Sequence, residues 1–269
     1  MSTARSASDG MQIVYLNGEL TPIGEARIPV LDRGFIFGDG VYEVIPVYDR
    51  VPFRLAGHLA RLQRSMDEIR LANPHSDAEW AKLVDLLIAQ HEWADQSIYL
   101  QVTRGAAPRD HRMPAGVPPT VFMMASRLTR PSDAERAQGV ATISLADNRW
   151  LRCNVKSTAL LGNVLLRQEA ADAGAVECIL FRDGYLTEAS ASNVFVVKNG
   201  TLLAPPADNL ILSGITYEAV LELAREHRLP LAVRRISEAE VRDADELWLT
   251  SSSKEVLPVA TLDGKPVGS

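Results

Sequence analysis

The period of the apolar residues changes repeatedly along this chain, and that change limits the folds open to it. Leu55, Leu59, Leu62, Met66 and Ile69 recur at four- and three-residue intervals, one face of a helix. Ile98, Leu100 and Val102 instead alternate with Tyr99, Gln101 and Thr103, as in a half-buried strand. Ile13-Val14-Tyr15-Leu16 runs into Asn17-Gly18, a strand meeting a tight hairpin turn. Ser76-x-x-Glu79 has the form of a capping box, and Trp80, Leu83, Val84, Leu87 and Ile88 give the following helix its buried face. A strand follows at Val121–Met124. The second half repeats the mixture, with a strand near 140–146, a helix from about Thr158 to Ala173 stopped by Gly174, and strands at 176–182 and 193–198. The turns there are Asp183-Gly184 and Asn199-Gly200. A helix after Gly214 and a short one opened by Ser237-x-x-Glu240 precede strands at Glu246–Leu249 and Val256–Ala260. No regular strand–helix–strand alternation emerges, so the pattern predicts an α+β fold rather than a doubly wound sheet. Residues 1–10 read as a disordered tail and 11–127 as a smaller N-terminal α+β domain. The polar, proline-containing stretch 128–137 reads as a linker, and 138–269 as a larger C-terminal α+β domain.

Composition excludes several classes of function. The chain has 28 basic against 34 acidic side chains, a net charge of −6, opposite in sign to a nucleic-acid-binding face. No apolar run approaches the roughly 18 to 20 residues that span a bilayer, and the first ten residues lack the apolar core of a signal peptide, so the expectation is a soluble cytoplasmic protein without a membrane partner. Cys153 and Cys178 are too few for a disulfide framework and read as buried reduced thiols. The histidines at 58, 75, 91, 111 and 227 have no ligand spacing, so no metal is expected. Gly38-Asp-Gly40 opens like a dinucleotide fingerprint but lacks the third glycine.

Lysine is the informative residue type, with 5 present among the 28 basic residues. Lys82, Lys198 and Lys265 sit in polar surroundings, and Lys254 lies in an ambiguous polar turn. Lys156 falls where an extended segment meets a long apolar helix. A lysine held against apolar surface has its ammonium desolvated and its amine freed for a Schiff base. Glu188 lies in a short polar segment between apolar strands, and Ser213-Gly214 precedes a helix whose first N–H groups suit an anion. Each of these also fits a plain structural role: a snorkelling lysine, a solvated loop acid, a capped helix. Together they are the groups pyridoxal phosphate needs, an aldehyde partner, a pyridinium counter-ion and a phosphate site.

Longer motifs carry a resemblance. Asp32-Arg-Gly-Phe-Ile-Phe-Gly-Asp-Gly-Val-Tyr-Glu43, Gln101-Val-Thr-Arg-Gly105, Arg109-Asp-His111, Arg149-Trp-Leu-Arg-Cys-Asn-Val-Lys156 and Thr187-Glu188 through Phe195 closely resemble the D-amino-acid aminotransferases. These are class IV, fold-type IV pyridoxal-phosphate enzymes, and the resemblance runs over about residues 11–266. It implies two α+β domains, a homodimer, and pyridoxal 5′-phosphate (PLP) as cofactor. It implies a ping-pong transfer of an amino group between D-amino acids, such as D-alanine or D-glutamate, and 2-oxo acids. Lys156 would be the catalytic Schiff-base lysine and Glu188 the partner of the pyridine nitrogen. Arg61, Ile215, Thr216, Ser251 and Ser252 would hold the phosphate. Tyr42, Ser192 and Asn193 would also meet the cofactor. Tyr42, Arg109 and His111 would bind substrate, the last two as a trap for its α-carboxylate. Two positions depart from the family pattern: Ala191 replaces a serine, and Asn154 stands where relatives commonly carry an acid. An (R)-selective amine transaminase, a branched-chain L-amino-acid transaminase or a lyase would share the lysine, the acid and the phosphate site; a non-catalytic relative is the remaining alternative.

Overall fold

Asn17 and Gly18 both take positive φ, 50° and 103°, and join β1 (Ile13–Leu16) to β2 (Glu19–Pro22) as the hairpin signal requires. The computed structural model describes residues 12–268, so the expected tail at 1–10 lies outside the described residues. A short helix α1 (Arg33–Phe37) follows. The Asp32 side chain caps it by accepting from Gly34 N–H, and left-handed Gly38 ends it. Then come β3 (Gly40–Tyr48), β4 (Val51–Pro52), α2 (Leu55–Glu68), α3 (Asp77–Ala89), β5 (Gln96–Thr103) and β6 (Thr120–Arg127). The capping box at Ser76 and Glu79 is formed at the start of α3.

These strands make one antiparallel sheet in the order β2-β1-β6-β5-β3-β4. On one sheet face Val41, Ile45, Val47, Ile98, Leu100, Val102 and Met123 are buried with Leu62 and Met66 of α2 and Trp80 and Leu87 of α3. Glu43 shares the parity of Val41 and Ile45, so strand alternation places a carboxylate on the core side. Tyr42, Tyr99 and Gln101 occupy the opposite, half-buried face.

Compact packing divides the chain into Met1–Leu128 with Val155–Ala159, and Thr129–Asn154 with Leu160–Ser269. Residues 138–269 were expected in one domain; the structure returns Val155–Ala159 to the first unit, for a hydrogen-bonding reason. Tyr42 N–H donates to Lys156 C=O at 3.0 Å, and Thr158 N–H to Gly40 C=O at 3.0 Å. The Lys156 N–H donates to Ser65 Oγ at 3.2 Å. The same pairing explains why the expected helix at Thr158 starts only at Leu161. A Cβ on Gly38 would stand 3.1 Å from the Ala159 Cα, so glycine serves there both the left-handed turn and the close approach.

The second unit runs through α4 (Asp133–Gln138), β7 (Val140–Ala146), α5 (Leu161–Asp172), β8 (Glu177–Arg182), β9 (Tyr185–Ala189), β10 (Asn193–Lys198), β11 (Thr201–Ala204), α6 (Ile215–Glu226), β12 (Leu231–Val233), α7 (Glu238–Arg242), β13 (Glu246–Ser251), β14 (Glu255–Leu262) and β15 (Lys265–Pro266). The sheet order is β12-β11-β10-β13-β14-β7-β8-β9, with β15 on β14. It is mixed: β7 lies parallel to β8 and β14, β11 parallel to β12, and the other pairs are antiparallel. Part of the stretch expected to be a linker is helical, because Ser132 and Glu135 form a capping box that the sequence reading passed over. Glu188, expected in a short polar loop between two strands, stands on β9 and is buried. Both cysteines are free and buried. Among the described residues no helix is long and apolar enough to cross a membrane.

Gly105 offers a test of this packing. Its φ is +85° and an added Cβ would fall 2.1 Å from the Pro118 carbonyl oxygen. Gly105→Ala is expected to destabilise the protein by on the order of 2 kcal/mol or more, read as a lowered urea midpoint. A wild-type midpoint would contradict the close approach.

Candidate active site

In the first unit the Lys156 peptide is held at both ends, by Ser65 of α2 at its N–H and by β3 at its carbonyl. Its Nζ lies 4.2 Å from the centroid of the Tyr42 ring, and Tyr42 stacks on Tyr99 at 5.6 Å. Burial pushes the Tyr99 phenol up to about 12, so it stays neutral and donates to Gln101 Oε1 at 2.6 Å. Arg61 stands one helical turn before Ser65 on α2. Its Nε and Nη2 donate to the two oxygens of Glu43 at 2.8 and 2.7 Å, inside the core. The structure thus gathers Lys156 with Tyr42 on one side of the sheet, and Arg61 with a buried carboxylate on the other.

Arg109 and His111 come together on an exposed loop around Phe37, the last residue of α1. The Arg109 guanidinium lies 5.4 Å from the Phe37 ring centroid, and the His111 ring lies 5.4 Å from it. Arg33 approaches the same ring at 4.8 Å and donates to the Asp110 carbonyl, which ties the loop to α1. The helix is fixed in turn, because the Asp32 carboxylate accepts from Thr103 and Thr120 at 3.0 and 2.7 Å.

In the second unit Glu188 is buried and accepts from Arg149 Nη1 at 2.6 Å, Leu212 N–H at 3.0 Å and Asn193 Nδ2 at 3.2 Å. Arg149 divides its charge, since its Nε and Nη2 also donate to Asp147 at 2.9 Å. Burial raises the Glu188 carboxyl to about 7, and the attraction of Arg149 offsets only part of that. Asn193 further donates to the Leu212 carbonyl at 2.8 Å, which fixes the entry to α6. Gly214 caps α6 without a side-chain bond, leaving the N–H groups of Ile215 and Thr216 in its first turn. A Cβ at Gly214 would strike Asn193 Oδ1 at 2.1 Å, so the approach to this helix end is shaped for glycine. Ser192 turns elsewhere: its hydroxyl lies 3.1 Å from Lys254 Nζ and 3.5 Å from Glu177 Oε2. That resolves the ambiguous Lys254, which pairs with buried Glu177 at 3.3 Å. Ser251 and Ser252 lie at and just after the end of β13, where Ser251 Oγ accepts from Lys254 N–H at 3.1 Å.

These groups suit pyridoxal phosphate. Taken unit by unit, the buried Arg61 of the first suits a phosphate, while in the second the first N–H groups of α6 suit an anion and a buried carboxylate lifted to about 7 suits a ring N–H. Sequence reading gave no role to Glu43, His58, Ser65, Asp147 or Arg149. A signal for two of them was present: His58 and Ser65 recur with Arg61 at helical spacing among the buried residues of α2, where apolar residues belong.

A pH test follows from Glu188. A carboxyl whose folded-state value is raised binds more protons folded than unfolded, so its contribution is lost as pH rises from about 4.5 towards about 7. In coenzyme-free protein the Tm of wild type relative to Glu188→Gln should fall across that window. Parallel Tm profiles would contradict the burial of an ionisable group there.

Comparison with known proteins places this geometry. The profile of the amino-transferase class IV family matches residues 40–262. A D-alanine aminotransferase of Bacillus licheniformis is 42% identical over 256 residues, covering 95% of this chain and 90% of that protein. Among solved structures, the branched-chain amino acid aminotransferase of Escherichia coli superposes with a TM-score of 0.89 at 26% identity, over 96% of this chain and 88% of that one. A hypothetical aminotransferase of Mycobacterium tuberculosis, in its PLP-bound form, superposes with a TM-score of 0.84 at 27% identity, over 95% of this chain and 92% of that one.

Proposed function

The chain belongs to the class IV aminotransferases, a pyridoxal-phosphate-dependent family, and we propose that it moves amino groups between D-amino acids and 2-oxo acids. The observation that carries the substrate class is Arg109 beside His111 on the Phe37 ring. A guanidinium is a planar donor fork that fits a carboxylate, and an imidazole adds a further donor. An amine substrate without a carboxylate would leave that pair without a purpose. The likeness to the D-alanine aminotransferase supports the D isomer over the branched-chain L-amino acids.

When bound, pyridoxal phosphate supplies an aldehyde and a ring that accepts an electron pair. Lys156 is the amine assigned to hold it and then to carry the proton taken from the substrate Cα. Glu188 keeps a proton at the ring nitrogen, and Arg149, Leu212 N–H and Asn193 fix that carboxylate in place. Arg61 and the first N–H groups of α6 are assigned to the phosphate, and Tyr42 to the Lys156 side of the cofactor. With the substrate carboxylate fixed by Arg109 and His111, one face of Cα is turned to Lys156, which sets stereospecificity.

A homodimer belongs to the same reading. Leu161, Val164 and Leu165 of α5 are 71%, 58% and 57% exposed, an apolar face that a second copy would cover. Light scattering should give twice the chain mass, and Val164→Asp combined with Leu165→Asp should lower it to one. A monomeric wild type would contradict this.

Turnover decides the substrate. With 2-oxoglutarate as acceptor, D-alanine should be converted to pyruvate with formation of glutamate, while L-alanine and L-leucine give no glutamate, and Arg109→Ala should raise KM for D-alanine by about tenfold or more. Faster turnover of L-leucine would replace this reading with the branched-chain one. An unchanged KM in Arg109→Ala would remove the carboxylate trap.

A further inference from the structure

Behind Arg61 lies a buried polar cluster to which the proposed function assigns no role. Glu43 and His58 are both 0% exposed, and Arg61 is 4% exposed. Glu43 receives both prongs of the Arg61 fork and also meets His58, whose Nδ1 stands 2.7 Å from Oε2. Burial alone would raise the Glu43 carboxyl, but the charge and hydrogen bonds of Arg61, with that of His58, hold it down to about 2. Burial also lowers His58, so its ring is neutral and donates from Nδ1. Among the described residues the His58 Nε2 then has no hydrogen-bond partner.

We propose that Glu43 and His58 are positioning residues for phosphate recognition: Glu43 fixes the plane of the Arg61 guanidinium, and His58 fixes Glu43. The proposal rests on the reading of Arg61 as a phosphate ligand. A guanidinium has five N–H donors. Glu43 uses two of them, both on one edge, and so sets the direction of the rest. Two further physical points support the arrangement. An arginine buried without a partner is costly, so Glu43 keeps Arg61 both charged and inside the core when no phosphate is present. The pair Glu43–Arg61 is also neutral overall, so its selectivity for phosphate depends on where the donors point rather than on net charge. Ordering a flexible arginine in advance lowers the entropy lost on binding. His58 adds a third bond to a carboxylate that could otherwise turn about its own side chain.

The test compares two ligands that differ only in the phosphate. Coenzyme-free protein is titrated with pyridoxal 5′-phosphate and with pyridoxal, and the ratio of the two dissociation constants is the readout, with circular dichroism reporting the fold. Arg61→Lys should shrink the wild-type ratio by about tenfold or more. His58→Leu should shrink it by several fold. His58→Asn, whose amide can still donate to Glu43, should keep most of it. Glu43→Gln should resemble Arg61→Lys, and if that variant does not fold, the two His58 variants decide. Parallel weakening of both ligands in His58→Leu, or an unchanged ratio, would overturn the proposal and leave the cluster a purely structural one. An unchanged ratio in Arg61→Lys would instead remove the phosphate reading on which it rests.

Discussion

Three hydrogen bonds draw Val155–Ala159 back onto the first unit, and the account depends on them. The Lys156 carbonyl accepts from Tyr42 N–H, its own N–H reaches Ser65 Oγ, and Thr158 N–H reaches the Gly40 carbonyl. Each is an ordinary bond with a net worth of about 1 kcal/mol. Their effect is larger than that sum, because together they fix both ends of one peptide and so the starting point of one long side chain. Position, more than energy, is what they contribute. Left-handed Gly38 and the Asp32 cap beneath it shape the surface this segment lies on.

Both units also carry ionised groups in buried places, and neither leaves them unmatched. Glu43 is satisfied by Arg61 and His58, and Glu188 by Arg149, Asn193 and the Leu212 N–H. The two carboxylates titrate in opposite directions for a clear reason. Glu43 holds a bidentate fork and stays ionised, whereas Glu188 holds one prong of an arginine that Asp147 also claims. The first is a fixed charge and the second a group that can share a proton with a ring nitrogen.

Much of this was legible in the sequence. Periodicity located α2, α3 and β5, and dipeptide turns located the hairpins, because each depends on residues close in the chain. Lys156 stood out through the scarcity of its type and its junction setting. Other features depend on partners far away. Nothing local to Val155–Ala159 says that it pairs with β3, so its return to the first unit was invisible. Glu188 read as a loop acid because its neighbours Thr187 and Ser190 are polar, yet those side chains are buried and bonded to Asp147 and Glu177. The roles of Arg149 and Glu43 likewise exist only once distant segments meet. The helix α4 differs from these, since its signal is local: Ser132 and Glu135 form a capping box beside Pro131.

The central claim is that Lys156 is the residue presented for coenzyme chemistry. Borohydride reduction of the coenzyme-loaded protein fixes the coenzyme to the lysine that carries it, and mass spectrometry of the digested chain identifies that lysine. The account predicts the adduct on Lys156 alone. An adduct on Lys254 or another lysine, with Lys156 unmodified, would contradict it.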